Sequence, residues 1–265
     1  MGQDGFRAEE IDTSRPHPAR IYDYLLGGKD NYEVDQRAGD ELAAVAPEIR
    51  IGVRANRAFM RRAVRYVVGS GVRQILDIGT GLPTSPNVHE IAHEVTSDVR
   101  VAYVDNDPIV SAHADALLSG SGVNSIVLAD LRDPRAIVDH PYVRRVIDFD
   151  EPVAVLLVAI VHFLTDADKP EQIVATLRDA LPAGSFLVLS HATGDFADRS
   201  DAQAVYSKAT ASLNLRSRAE VERFFDGFEL VEPGLVQAPF WRPDAPPPAR
   251  SGEIGFYGGV ARKNG

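Results

Sequence analysis

Two glycines separated by one residue close the apolar run Ile75-Leu76-Asp77-Ile78-Gly79-Thr80-Gly81, and a helical pattern follows over residues 86–95. Glycines at a strand end let the backbone turn sharply and let a ligand approach it closely. The next apolar run, Val101–Val104, ends in Asp105. A carboxylate at that place accepts both hydroxyls of a ribose. Strand, glycine loop, helix, strand and acid, in that order, make the adenosine-binding half of a doubly wound sheet. The plainer alternative is a tight turn and a capping aspartate in an α/β domain without a ligand.

A dinucleotide site asks for a third glycine in G-x-G-x-x-G, so that the helix can close on the pyrophosphate. Position 84 is Thr, with Pro83 and Pro86 around it. That substitution argues against NAD and against a nicotinamide-dependent oxidoreductase. A rival motif, His89-Glu90-Ile91-Ala92-His93, spells H-E-x-x-H, the zinc-hydrolase pattern. Its continuation fails, because Thr96 and Val99 stand where the long form needs Gly and His, and no Glu lies between 95 and 150. No metal is expected there. His162 follows the apolar run Val153–Val161, at the end of a strand where ligands of such sheets sit. It either accepts a proton from an acceptor hydroxyl or amine, or forms a hydrogen-bonded wall. His191, after the fifth strand, is a weaker candidate of the same kind.

These residues need a frame to hold them. Short apolar runs alternate with helical patterns from residue 74 to 190, which predicts a parallel sheet covered on both faces. The run VAVLLVAIV is apolar throughout, as a strand buried on two faces must be. The expected fold is a doubly wound, mostly parallel α/β sheet of seven strands, the last antiparallel. Helices are expected over 53–69, Pro108–Leu118, Pro134–Val146 and Lys169–Leu181, and near 200–213 and 217–226. Strands near 227–232 and 253–261, joined by a Pro-rich loop (Pro239 to Pro248), predict an antiparallel hairpin at one edge. Phe240 and Trp241 in that loop either line a pocket or anchor the loop.

Before the sheet, a helical pattern from Pro18 to Ala46 breaks at Gly27-Gly28. Tyr22, Tyr24, Lys29, Asn31 and Tyr32 crowd this stretch. One reading is a lid over the ligand, with Tyr22, Tyr24 and Asn31 building an acceptor pocket. The other is a helix capped at Gly27 with its tyrosines on the core. Arg57 either pairs with a ligand carboxylate or sits on an exposed helix face. The arginines 54, 57, 61, 62 and 65 read more readily as a solvated face than as a nucleic-acid patch. The division expected is a helical extension or lid over 1–55 and the nucleotide-binding domain over 56–265.

Composition narrows the partners. The 265 residues carry 38 acidic and 28 Lys or Arg side chains, a formal charge of −10, which disfavours nucleic acid and anionic membranes. Cysteine is absent, so disulfides and thiolate metal sites are excluded and a reducing cytoplasm is the expected setting. The polar N-terminus has no apolar signal core, and the longest apolar run is too short to span a bilayer.

Asp77 before the glycines resembles motif I of the class I methyltransferases. Asp130, in Leu128-Ala129-Asp130-Leu131, and the turn Leu181-Pro182-Ala183-Gly184 are similar to later landmarks of that fold. Across nearly the whole chain, further stretches resemble the actinobacterial S-adenosyl methyltransferase family once catalogued as a domain of unknown function. They are Pro18–Tyr32, Asn56-Arg57-Ala58-Phe59, Gly81-Leu82-Pro83-Thr84, Tyr103–Pro108 and His162–Asp166. The resemblance implies S-adenosylmethionine as cofactor and direct transfer of its methyl group to an acceptor, more readily a small molecule than a nucleic acid. It implies that Asp77 lies near the amino-acid end, Asp105 on the ribose and Asp130 on the adenine. Gly79, Thr80, Gly81, Asn106 and Leu131 complete that set. A regulator that binds the same cofactor without turnover would need the same loop.

Overall fold

The computed structural model describes residues 13–110, 124–247 and 250–265. Of the helix expected over Pro108–Leu118, residues 108–110 are described and are helical. Its remainder, Val123, the first twelve residues, and residues 248–249 of the Pro-rich loop lie outside them.

Five strands pair in parallel: β1 (Gln74–Ile78), β2 (Arg100–Asp105), β3 (Asn124–Leu128), β4 (Ala154–Val158) and β5 (Phe186–Ala192). Their order, β3-β2-β1-β4-β5, reverses direction between β1 and β4 and so opens a crevice at the carboxyl ends of those strands. A C-terminal strand, Phe256–Arg262, runs antiparallel to β5, from the Ala192↔Phe256 pair to Phe186↔Arg262. Every residue of β1 is buried, and successive side chains alternate between two cores. Leu76 and Ile78 join the core under the helices Pro134–Val138, Pro141–Val146 and Pro170–Asp179. Ile75 joins the core on the opposite face.

That opposite face is covered by a long helix, Ile49–Gly69, and by a short one, Val88–His93. The N-terminal pattern forms α1 (Pro18–Leu26) and α2 (Glu33–Val45), so the long helix is α3 and the short one α4. Proline at its first position and the His17 side chain, which accepts from Ala19 N–H, start α1, and Gly27 at φ 91° ends it. Buried Asp35 knots α1 to α2: it accepts from His17 N–H at 2.9 Å and Tyr32 N–H at 3.0 Å, with Arg20 Nε at 3.4 Å. A buried charge is tolerable only when so fully matched. The two helices meet closely because residue 39 is glycine; a Cβ there would meet the Tyr24 ring at 2.4 Å. Ile21, Leu25, Leu42 and Val53 form a third core with Val205 and Tyr206 of the helix Ser200–Tyr206. α3 is continuous through residues 55 and 56.

The sheet has eight strands rather than seven, because its last edge is made of two fragments. β6 (Glu229–Leu230) and β7 (Val236–Gln237) both pair with the C-terminal strand, which is therefore β8. Between them Pro233 lacks a donor for the ladder, and Gly234, at φ 84°, turns back to bond Val231 O. The helix expected over Pro134–Val146 is two, since Pro141 opens a new one capped by His140. Trp241 is fully buried, edge-on to Phe59 and Tyr66, and anchors its loop, while Phe240 is exposed. Among the described residues, no helix is long and apolar enough to cross a membrane.

Candidate functional site

One cavity of about 420 Å³ lies over the carboxyl ends of β1, β2 and β4. That is within the range of small-molecule sites. Its polar end is built from strand termini. Gly79 and Gly81 take φ 74° and 68°, and Gly79 N–H bonds Val104 O at 2.8 Å, hooking the loop to β2. Gly79 has a packing reason as well, since a Cβ there would meet Ile160 at 2.6 Å. Asp105 Oδ2 accepts from Gly81 N–H at 2.8 Å and Oδ1 from Asp107 N–H at 2.9 Å. Each oxygen keeps a second acceptor direction, so a diol can still be bound.

Burial pushes the Asp105 carboxyl up to about 6 against the pull of those N–H groups. Burial likewise pushes Asp77 up to about 7, opposed by Thr80 and by the charge of Arg57. Two desolvated carboxyls at adjacent strand ends with acceptor directions to spare suit a ligand rich in donors, and an adenosine ligand with an ammonium group brings both O–H and N–H donors. The residues present therefore fit S-adenosylmethionine.

Asp77, Gly79, Thr80 and Gly81 all line the cavity, as do Asp105, Asn106, Asp130 and Leu131. Asp130 is partly exposed and already accepts from Arg132, at 2.8 Å from both N and Nη1. Arg57 lines the cavity too, but its guanidinium is not loose: Nη2 donates to Thr84 O at 2.6 Å and Pro86 O at 3.0 Å. It holds the far side of the glycine loop. The neighbouring arginines have similar structural duties. Arg62 binds the carbonyls of Ala238 and Trp241, and Arg61 and Arg65 meet Glu94.

The opposite end of the cavity is apolar, with Phe163, Tyr206, Leu213 and Phe256 in its wall. α1 closes this chamber with Tyr22 and Leu26. A buried pair, Arg199 and Glu48, lies in the same wall. Tyr24 and Asn31, grouped with Tyr22 from sequence, do not line the cavity. Tyr24 donates to Asp40 at 2.7 Å under the Arg50 guanidinium, and Asn31 donates to Asp23 at 2.8 Å. They brace the turn between α1 and α2. The reason is helical: Tyr22 and Tyr24 are two residues apart and so point to different sides.

His162 lines the cavity, in a short turn after β4, and is buried. Its Nδ1 accepts from Ala192 N–H at 3.2 Å. Burial holds it well below the usual imidazole range, so it is neutral with its proton on Nε2. His191 is neutral also, lowered by burial to about 3, with Nδ1 on Ala192 O at 2.7 Å and Nε2 accepting from Arg216 at 3.1 Å. His89 and His93 go elsewhere. His89 Nδ1 meets Tyr103 Oη at 2.8 Å, His93 Nε2 meets Val99 O at 3.1 Å, and Glu90 caps its own helix at Asn87. Among the described residues no group of three or more His, Cys, Asp or Glu side chains gathers as metal ligands would.

Three further lining residues have no role in the sequence reading. His17 Nδ1 lies 3.0 Å from Asp107 Oδ2, which brings the start of α1 against the loop after β2. Asn56, fully buried on α3, faces the cavity. A buried Asn in a helix that is otherwise apolar on its inner face was the available signal.

A family model described as S-adenosyl methyltransferase matches residues 4–264. The crystal structure of a DUF574 family protein from Streptomyces avermitilis is 46% identical, with a TM-score of 0.91, covering 96% of this chain and 99% of that one. A protein of Thermobifida fusca, provisionally described as a methyltransferase, is 39% identical with a TM-score of 0.90, covering 96% and 97%. The N-methyltransferase NodS of Bradyrhizobium japonicum, solved with S-adenosyl-L-homocysteine, shares the fold at 13% identity and a TM-score of 0.50, covering 92% and 98%. Among curated proteins none matches.

Proposed function

Because the chain belongs to the S-adenosyl methyltransferase family and is an S-adenosylmethionine-dependent methyltransferase, we propose that its acceptor is a small molecule seated in the apolar chamber between α1, α3 and residues 200–215. The observation that carries this reading is the continuity of the cavity: one space joins the Gly79–Gly81 loop and Asp105 to Tyr22, Phe163 and Tyr206. Bound at the polar end, S-adenosylmethionine supplies an electrophilic methyl group on a positively charged sulfur, open to direct displacement by an acceptor nucleophile.

In this reading Asp105 accepts from the ribose hydroxyls, and Asn106, Asp130 and Leu131 receive the adenine. Asp77 and Arg57 serve the amino-acid end, with Gly79, Thr80 and Gly81 shaping the loop between. His162 enters as a neutral N–H donor in the wall rather than as a base, since its Nδ1 lone pair is already engaged by Ala192. Neutral imidazoles at 162 and 191 also keep positive charge away from a cationic sulfur, and Arg216 behind them is paired with Asp166 at 2.9 Å. Tyr22 and the rest of α1 form a cover, residues 1–55 supplying it and 56–265 the cofactor domain. Enclosure aligns two reactants and excludes water, and these are the main needs of a direct displacement. Net negative charge supports a small acceptor over nucleic acid, and the cysteine-free composition supports work in the cytoplasm.

Calorimetric titration with S-adenosylmethionine, S-adenosylhomocysteine and NAD tests the reading. Micromolar binding of the first two and none of NAD is expected. Acceptor discovery then follows by incubating the loaded protein with small apolar hydroxyl and amine compounds and detecting methylated product. Methylation of polynucleotides instead of these would overturn the acceptor class.

A further inference from the structure

The cavity wall holds a polar atom that its neighbours leave unsatisfied. Asn56 Oδ1 is buried and accepts no hydrogen bond among the described residues. The orientation of the amide is fixed rather than arbitrary. Tyr22 Oη donates its only proton to Val53 O at 3.1 Å, so its oxygen can do nothing but accept. The group 3.0 Å from it on Asn56 must therefore be Nδ2, the donor, and Oδ1 is turned the other way as a bare acceptor. A buried carbonyl left without a donor is costly, and such a group calls for a partner that completes it, a ligand among them.

Its surroundings say which ligand. Asn56 precedes Arg57 on α3, and the Arg57 charge acts on both Tyr22 and Asp77. Asp77 shares the sheet face of α3: along β1 it follows Ile75 by two residues, and Ile75 packs in the α3 core. One turn of α3 and the end of β1 thus put a carboxylate, a bare amide carbonyl and a guanidinium into the lining of one cavity. An α-amino acid in its zwitterionic form needs that set, two acceptors for the ammonium and a donor for the carboxylate.

We propose that Asn56 Oδ1, oriented by Tyr22, accepts a hydrogen bond from the α-ammonium group of the cofactor's amino-acid end, alongside Asp77. The proposal rests on the methyltransferase reading above and adds a specificity residue to it. Asn56 is then a ligand contact and Tyr22 a positioning residue.

The test is calorimetric titration of the full chain with two probes, S-adenosylhomocysteine and 5′-methylthioadenosine. The second keeps the nucleoside and thioether and lacks the amino acid. Asn56→Leu is expected to weaken S-adenosylhomocysteine about 10- to 100-fold, the loss of one hydrogen bond to a charged group, and to leave methylthioadenosine within about twofold. Asn56→Asp keeps an acceptor and is expected to retain most of the affinity for S-adenosylhomocysteine. Tyr22→Phe releases the amide and is expected to weaken only that probe. Unchanged S-adenosylhomocysteine binding in Asn56→Leu overturns the proposal, and so does an equal loss for both probes, which would mark a packing role. Should the unaltered chain bind neither probe, the cofactor reading fails and the proposal falls with it.

Discussion

At the strand ends, Asp105 has both oxygens on backbone N–H groups, and the Gly79–Gly81 loop is hooked to Val104, so the polar half of the cavity is built into the sheet. In the helical half, the wall is mostly ring faces and aliphatic groups from α1, α3 and residues 200–215, held by side-chain packing and a few side-chain contacts such as Tyr22 with Val53 and Arg199 with Glu48. The contrast teaches where specificity is fixed and where it is free. Hydrogen-bond donors and acceptors fixed by backbone recognise one constant ligand, whereas an apolar chamber is set by side-chain size and changes by single substitutions. The same sheet can therefore keep its cofactor while its acceptor differs.

The sharpest break of this contrast is Asp105→Ala. It removes the proposed diol acceptor and frees two backbone donors, so affinity for S-adenosylhomocysteine should fall by about 100-fold or more by calorimetry. Affinity within threefold of the parent would refute the assignment. Gly79→Ala attacks the same half through backbone: at φ 74°, with Ile160 2.6 Å from the new Cβ, it should lose about 1–3 kcal/mol in denaturant melts.

The acidity of the two carboxyls gives a third effect. Asp77 at about 7 and Asp105 at about 6 are both raised above their ordinary value near 3.8. The folded chain therefore holds protons there that the unfolded chain has released. Their contribution to stability is greatest below pH 4, is lost as pH rises through 6 and 7, and is flat above. A ligand that needs the ionised carboxylates should bind more tightly across the same rise. Melting temperature and S-adenosylhomocysteine affinity measured from pH 5 to pH 8 should thus move in opposite directions. Affinity that stays level would sever the carboxyls from the binding site.

Smaller changes are expected from the helical half. Leu213→Trp should fill the chamber, reduce binding of the apolar dye anilinonaphthalene sulfonate, and leave S-adenosylhomocysteine within about twofold. A loss of cofactor affinity as large as that of Asp105→Ala would show that the halves are not separable. The smallest effect is Trp241→Phe, remote from the cavity. It removes packing and also a buried indole N–H without a partner, two opposed terms that should leave stability within about 1 kcal/mol.

The legibility of the sequence divides along the same line. The strands, the glycine loop and Asp105 are local features, written in short continuous apolar runs and in glycines that need positive φ. Helical spacing puts Tyr22 and Tyr24 on different sides of α1, but only α2 and Gly39 decide which side meets the cavity. Asn56 acquires its meaning from Tyr22, 34 residues earlier in the chain. The strand expected near 227–232 ends where Pro233-Gly234 breaks the chain, and β7 beyond it is two residues long, too short to show as an apolar run. His162 was placed well by the end of its strand, but its proton position depends on Ala192, 30 residues onward.

α3 has a mechanical meaning as well. At about 1.5 Å per residue its 21 residues make a rod about 30 Å long, with Gly52 and Asn56 toward one end and Val67 in the sheet's core at the other. A rod clamped to the sheet along so much of its length is as rigid as the sheet itself. Such a stiff floor keeps the spacing between Asn56 and Asp77 fixed.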